Sequence, residues 1–221
     1  MFILRKYKIK KAVWFSLIIS CLSFIFCLKY KNKISRQLYY NNLYHNICSK
    51  KDSDSLKIIK CFEYVANNIE APGHFIQTKG LNPKQIIEKG YGSCDQQSNL
   101  LITILEKGGF PGKLVFLFDN DSISLHSVCE VKIVDRSIML DPFYNVLFYN
   151  KNQKMASLSD ISSGNILIRS KYSVPKNYLE LFNNEYPERI FRINRTKKIH
   201  KTFNKIIFYV NYIYNNLRTY L

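Results

Sequence analysis

Acidic side chains are missing from both ends of this 221-residue chain. Residues 1–36 hold nine Lys and Arg and residues 189–221 hold eight, with no Asp or Glu in either stretch. The formal net charge of +17 therefore belongs to the termini, and residues 37–188 balance sixteen basic against sixteen acidic side chains. A nucleic-acid binder carries its basic stripe on a folded surface. A neutral middle argues against that class, and basic runs beside apolar terminal segments suit anionic lipid headgroups instead. Paired Cys-x-x-Cys spacing is absent too, and the six cysteines form no framework. That speaks against a structural zinc site or a disulfide scaffold. Internal repeats and low-complexity tracts are also lacking.

Ala12 to Leu28 is an uncharged run of seventeen residues, bounded by Lys10 and Lys11 before it and by Lys29, Lys31 and Lys33 after it. A bilayer core needs roughly 17–25 apolar residues, and flanking lysines snorkel. A cleaved signal peptide lacks its small-x-small site here, and the lipoprotein-like Ile18-Ile19-Ser20-Cys21 is followed by more apolar residues rather than by an end to the run. An uncleaved anchor accounts for the whole segment. Residues 1–33 are thus expected to be a basic region with a single-pass transmembrane helix, and the protein is expected at a membrane. Five basic residues precede the run and four follow within eight positions, which points the following domain out of the cytoplasm.

Residues 34–188 form the expected domain, with its core at 82–149. Residues 34–48 read as a tyrosine-rich linker or helix. Asp52-Ser53-Asp54 offers N-caps for a helix over roughly 55–69, with Leu56, Ile59, Phe62, Ala66 and Ile69 at spacings of three and four. Asn82-Pro83 opens a short helix to about Lys89. Gly90-Tyr91-Gly92-Ser93 breaks it, and Leu100, Leu101, Ile104 and Leu105 mark another helix that ends at Gly108-Gly109. Strand-type runs follow at Leu114–Phe118, Ser127–Val134, Ser137–Leu140 and Val146–Tyr149, with turns at Asp119-Asn120-Asp121 and Asp135-Arg136. A strand at Asn165–Ile168 and a short helix near Tyr178–Asn183 are weaker signals. Helices followed by an antiparallel meander make an α+β fold. In the tail, Ile199, Phe203, Ile206, Ile207, Val210, Ile213, Tyr214 and Leu217 lie on one stripe. Residues 189–221 are accordingly expected as a basic amphipathic C-terminal helix, packed on its own domain or on a membrane surface.

Three residues carry the chemistry. Cys94 sits where a Gly-rich turn becomes a helix N-terminus, and orphan N–H groups with the positive end of the helix dipole favour a thiolate there. Its own N–H is a candidate oxyanion donor. His126 opens the strand His-Ser-Val-Cys-Glu-Val, and Asp141 closes the next in Leu-Asp-Pro-Phe-Tyr-Asn. Neighbouring antiparallel strands bring such ends into hydrogen-bond range, so the carboxylate can orient the imidazole. A metal site from Cys94, His126 and Cys129 is the rival, but strand alternation sends His126 and Cys129 to opposite faces.

The run Gly-Tyr-Gly-Ser-Cys-Asp-Gln-Gln-Ser-Asn-Leu-Leu with its closing Gly-Gly-Phe-Pro resembles the nucleophile helix of the transglutaminase-like superfamily. His-Ser-Val-Cys-Glu-Val and Leu-Asp-Pro-Phe-Tyr-Asn are similar to that family's His and Asp segments, in the same order. The resemblance implies a papain-like core with the nucleophile helix packed on an antiparallel sheet. It implies Cys94 as nucleophile, His126 as base and then acid, and Asp141 as orienter, with no cofactor and no metal. The aromatic often found after the family's His is replaced by Ser127, Val128 and Cys129, and Gln77 and Tyr91 are the candidates for a side-chain oxyanion donor. The expected activity is acyl transfer or amide hydrolysis through a thioester on Cys94, acting on a peptide, a protein or another amide. The alternative is an inactive transglutaminase-like domain that serves as a membrane-tethered binding or scaffold module. The membrane reading predicts that a reporter fused to the C-terminus is active only if it works outside the cytoplasm. Activity of a cytoplasm-dependent reporter would reverse the orientation.

Overall fold

A computed structural model describes residues 16, 19–21, 31–73, 76–118 and 124–183, and the backbone of 190–194. The chain divides into two compact units, Met1–Leu43 and Tyr44–Leu221. In the first, residues 31–43 are helical, where the sequence allows a linker or a helix, and Tyr39 meets Tyr40 edge to face at 5.2 Å. Most of Ala12 to Leu28 and the whole stripe from Ile199 to Leu217 lie outside the described residues. Among the described residues, no helix is long and apolar enough to cross a membrane.

The second unit is α+β. Helix α1 (Asp54–Asn68) starts at Ser53, whose Oγ accepts the Leu56 N–H at 3.3 Å. Its buried stripe is Ile58, Cys61, Phe62, Val65 and Ala66, while Leu56 is exposed. Of the expected stripe, Phe62, Ala66 and Ile69 are buried, whereas Leu56 is exposed and Ile59 only half-buried, and Ile58 takes their place in the first turns; both choices have helical spacing, and only the neighbouring element selects one. Helix α2 (Pro83–Lys89) carries the expected Asn82 cap, with Gln85 reaching back to the Asn82 N–H at 3.0 Å. Helix α3 (Cys94–Leu105) continues into a 3-10 turn at Glu106–Gly108 and stops at Gly109, whose φ of 84° suits glycine.

Six strands follow: β1 (Gly112–Phe118), β2 (Ser124–Ile133), β3 (Arg136–Asp141), β4 (Val146–Asn150), β5 (Ile166–Ser170) and β6 (Ile190–Asn194). A one-turn helix, α4 (Leu158–Ser162), precedes β5, and a 3-10 turn at Leu179–Phe182 stands where a short helix is expected. The sheet is antiparallel throughout, in the order β5-β4-β3-β2-β1-β6. Two corrections to the sequence reading arise. The β2–β3 hairpin turns at Val134-Asp135, with Val134 exposed at a left-handed φ of 51°; a β-branched residue reads as strand, yet the two-residue connection demands a special backbone. And β6 pairs with β1, Leu114 facing Ile193, so the sheet reaches past residue 188 into the stretch assigned to a C-terminal helix. The alternation of Phe191-Arg192-Ile193-Asn194 has the period of a strand.

Strand alternation gives the sheet two buried faces. Leu114, Cys129, Val131, Ile138 and Leu140 share the helix side, where Ser98 of α3 donates to the Ser127 carbonyl at 3.2 Å. Val115, Leu117, Val128, Met139, Val146 and Phe148 face the other way, into a cluster closed by Ala156, Ile161, Tyr178 and Phe182. Near the start of α1, the thiols of Cys48 and Cys61 lie 3.5 Å apart, free and buried. Behind α3, Gly108 leaves room for the ring of Tyr44, which a Cβ at that position would overlap. Gly108→Ala is expected to lower stability by about 1–3 kcal/mol in urea unfolding, and the cost should largely vanish in a Tyr44→Ala background.

Candidate active site

The N-terminus of α3 is held from two sides. Gly90, at φ 74°, turns the chain out of α2. The next residues then lie against Glu70, which donates to the Gly90 carbonyl and accepts from the Gly92 N–H. The Gln97 amide, one turn into α3, donates to the Gly92 carbonyl at 2.9 Å and to the Glu70 carbonyl at 3.3 Å. Gln96 accepts the Ser93 N–H at 3.0 Å and donates to the carbonyl of Thr78. These contacts fix Ser93 as N-cap and Cys94 as the first helical residue. The Cys94 N–H is one of the donors that a helix start leaves without an intrahelical partner. Cys94 is a partly exposed residue, whereas Cys48, Cys61 and Cys129 are buried.

The imidazole and the carboxylate arrive from the opposite face of the sheet. Cys129 pairs with Leu140, and that pair is the last step of the β2–β3 ladder. Continued by register, Val128 lies opposite Asp141, so His126 and Asp141 are diagonal neighbours on one face. Their side chains meet, with His126 Nε2 2.6 Å from Asp141 Oδ2. The ladder has ended by this point, and the helix side and the far side of the sheet are no longer separated. Cys94 lies close enough to the imidazole there to raise its pKa. The structure thus brings together all three residues singled out in the sequence.

Asp141 has no exposed surface. Its Oδ1 accepts the backbone N–H groups of Phe143 and Tyr144 at 3.0 and 3.2 Å, and its Oδ2 accepts both His126 and the Tyr178 hydroxyl, the latter at 2.5 Å. A buried carboxylate demands such saturation. The two backbone donors follow from an Asx-type turn, a pattern that Asp-Pro-Phe-Tyr permits and that an aspartate in a turn signals. Tyr178 had no signal: it stands 37 residues downstream of Asp141 in a stretch without clear periodicity. Around His126 are Tyr144, Phe143 and Tyr178, with ring centroids at 4.9, 5.8 and 6.0 Å. Of the expected oxyanion side chains, Gln77 is exposed and the Tyr91 hydroxyl accepts from Lys89 Nζ at 3.4 Å. Among the described residues no cluster of three or more His, Cys, Asp or Glu side chains is arranged to hold a metal ion.

Burial works against a charged imidazole at position 126. The Asp141 hydrogen bond, the Cys94 hydrogen bond and the negative charge of both partners outweigh it and raise the His126 pKa to about 9.

Residues 41–142 match the sequence model of the transglutaminase-like superfamily. No curated protein matches the chain. Among the solved structures similar to it are these two. One is a candidate protease from Parabacteroides distasonis, at 12% identity and a TM-score of 0.41, covering 47% of this chain and 23% of that one. The other is a candidate cysteine protease from Cytophaga hutchinsonii, at 11% identity and a TM-score of 0.42, covering 72% of this chain and 47% of that one. The chain therefore spans less than half the length of either solved structure.

A pH dependence follows from the His126 shift. Its folded pKa is raised above the ordinary value of 6.5, so its stabilising contribution is complete below about pH 6.5 and is lost as pH rises through about 9. The stability gap between the wild type and His126→Gln, measured by urea unfolding at a series of pH values, should narrow across that window. A gap that widens toward alkaline pH would contradict the charged pair.

Proposed function

We propose that the protein, whose residues 41–142 match the sequence model of the transglutaminase-like superfamily, is a cysteine enzyme that opens amide bonds through a thioester on Cys94. The observation that carries the reading is the grouping of a partly exposed cysteine beside an imidazole that is bonded to a buried and saturated carboxylate. The raised imidazole pKa favours a protonated His126 at neutral pH, and a helix N-terminus is a setting that favours negative sulfur.

The thiolate of Cys94 attacks the amide carbonyl carbon. The carbonyl π electrons move to oxygen, which the Cys94 N–H stabilises as the oxyanion. When the tetrahedral adduct collapses, the C–N bond breaks and the leaving nitrogen takes the His126 proton, leaving an acyl-thioester and a neutral imidazole. His126 then removes a proton from water or from an amine as that nucleophile adds to the thioester carbon. The C–S bond breaks, and the products are an acid or a new amide together with the thiolate–imidazolium pair. Asp141 holds the ring orientation and offsets the imidazolium charge throughout, without itself taking the proton. Hydrolysis is the favoured outcome, and the acyl donor is a peptide, a protein or another amide.

Labelling of the full chain with a vinyl-sulfone or chloroacetamide probe, read by peptide mass spectrometry, tests this. Cys94 should label quickly at neutral pH, and His126→Ala should slow it on the order of a hundredfold, with free glutathione in the same reaction as the reference thiol. Equal rates in the two proteins would refute the catalytic pair and leave a domain that binds without chemistry.

A further inference from the structure

Tyr178 lies outside the family-matched segment, yet its hydroxyl donates to the same carboxylate oxygen that holds His126. It is 1% exposed and is locked by aromatic neighbours on three sides. Phe148 stacks parallel to it with centroids 6.1 Å apart, and Phe182 and Tyr144 pack edge-on at 5.4 and 5.5 Å. The segment that carries it is tied down in turn: the Tyr178 N–H donates to the Pro175 carbonyl, and Ser162 of α4 donates to the Phe182 carbonyl at 2.7 Å. Burial and the Asp141 charge push the phenol well above its usual pKa, so it remains a donor across the working pH range. A core tyrosine needs only some acceptor for its hydroxyl. This one uses an oxygen already bonded to an ionisable partner.

The geometry points to Tyr178 as a positioning residue for the reaction, one that sets how strongly Asp141 holds His126 and makes residues 175–182 part of the functional unit. This rests on the reading of Cys94 and His126 as the reacting pair. Two donors on one carboxylate oxygen compete for its electron density. With the phenol present, the negative charge of Asp141 is shared, and the imidazolium is held less tightly than by a carboxylate free of that donor. Removal of the hydroxyl alone concentrates the charge on the contact with His126 Nε2. It also removes a fixed anchor of the carboxylate plane, so the ring is held more strongly and aimed less well.

Tyr178→Phe keeps the ring in its aromatic cluster and deletes only the donor. In the full chain, the pH dependence of Cys94 labelling should keep its form, with its alkaline limb displaced upward by on the order of one pH unit. The maximum rate should fall about three- to tenfold. The His126 imidazole resonance, followed by NMR, should titrate higher by the same amount. Phe148→Leu disturbs the same cluster without touching the carboxylate, and should lower stability while leaving both midpoints in place. An unmoved limb and an unmoved imidazole midpoint in folded Tyr178→Phe overturn the role and leave Tyr178 as a core residue. Should Tyr178→Phe fail to fold, site-specific 3-fluorotyrosine at 178 supplies a more acidic donor of nearly the same shape. It should then move both midpoints downward, and no movement overturns the proposal equally. Failure of the catalytic reading is distinguishable: the wild type would then show no His126-dependent labelling of Cys94 at all.

Discussion

The buried carboxylate of Asp141 is the constraint on which the site depends. An ionised group without solvent is tolerated only when each lone pair is met and the charge is balanced. Here four donors converge: the imidazole of His126, two backbone N–H groups from Phe143 and Tyr144, and the Tyr178 hydroxyl. They come from β2, from the turn after β3 and from the segment before the last described strand. The folding of three separate stretches is thereby tied to one charge. A rigid carboxylate then does for the imidazole what solvent cannot: it engages Nε2 and holds the ring in a fixed orientation.

The second requirement is that a thiol from the helix layer reach an imidazole on the far face of the sheet. A continuous β ladder would keep them apart. The β2–β3 pairing stops at Cys129 and Leu140, while β2 continues to pair with β1 as far as Ser124. His126 therefore stands on a strand that is anchored on one edge and open on the other. The α3 N-terminus is presented at that opening because Gln96 and Gln97 bind it to Thr78, Gly92 and Glu70. Rigidity on both sides leaves Cys94 as the accessible member of the trio.

The parts of the fold that were legible in the sequence depend on neighbouring residues. The Asn82-Pro83 cap, the glycine stop after α3 and the four central strands are set by backbone chemistry and by periods of 3.6 and 2. Where two local readings were equally good, the sequence could not choose between them. The α1 stripe turned out to run through Ile58 and Val65 rather than Leu56 and Ile59. The β2–β3 turn used Val134, a residue with a strong preference for extended backbone. Strand β6 was obscured because its partner, β1, lies more than seventy positions earlier in the chain.

The sequence by itself singled out the trio Cys94, His126 and Asp141, which stand in motifs whose order and local structure need no long-range contact to be recognised. It also determined that the excess charge belongs to the ends and that the domain is α+β. Only the tertiary structure decided which nitrogen of His126 meets Asp141, how the ladder opens to admit Cys94, and that Tyr178 shares the carboxylate. The reason is physical. Caps, turns and strand alternation are encoded within a few residues, whereas the saturation of a buried charge draws donors from wherever the chain brings them in space.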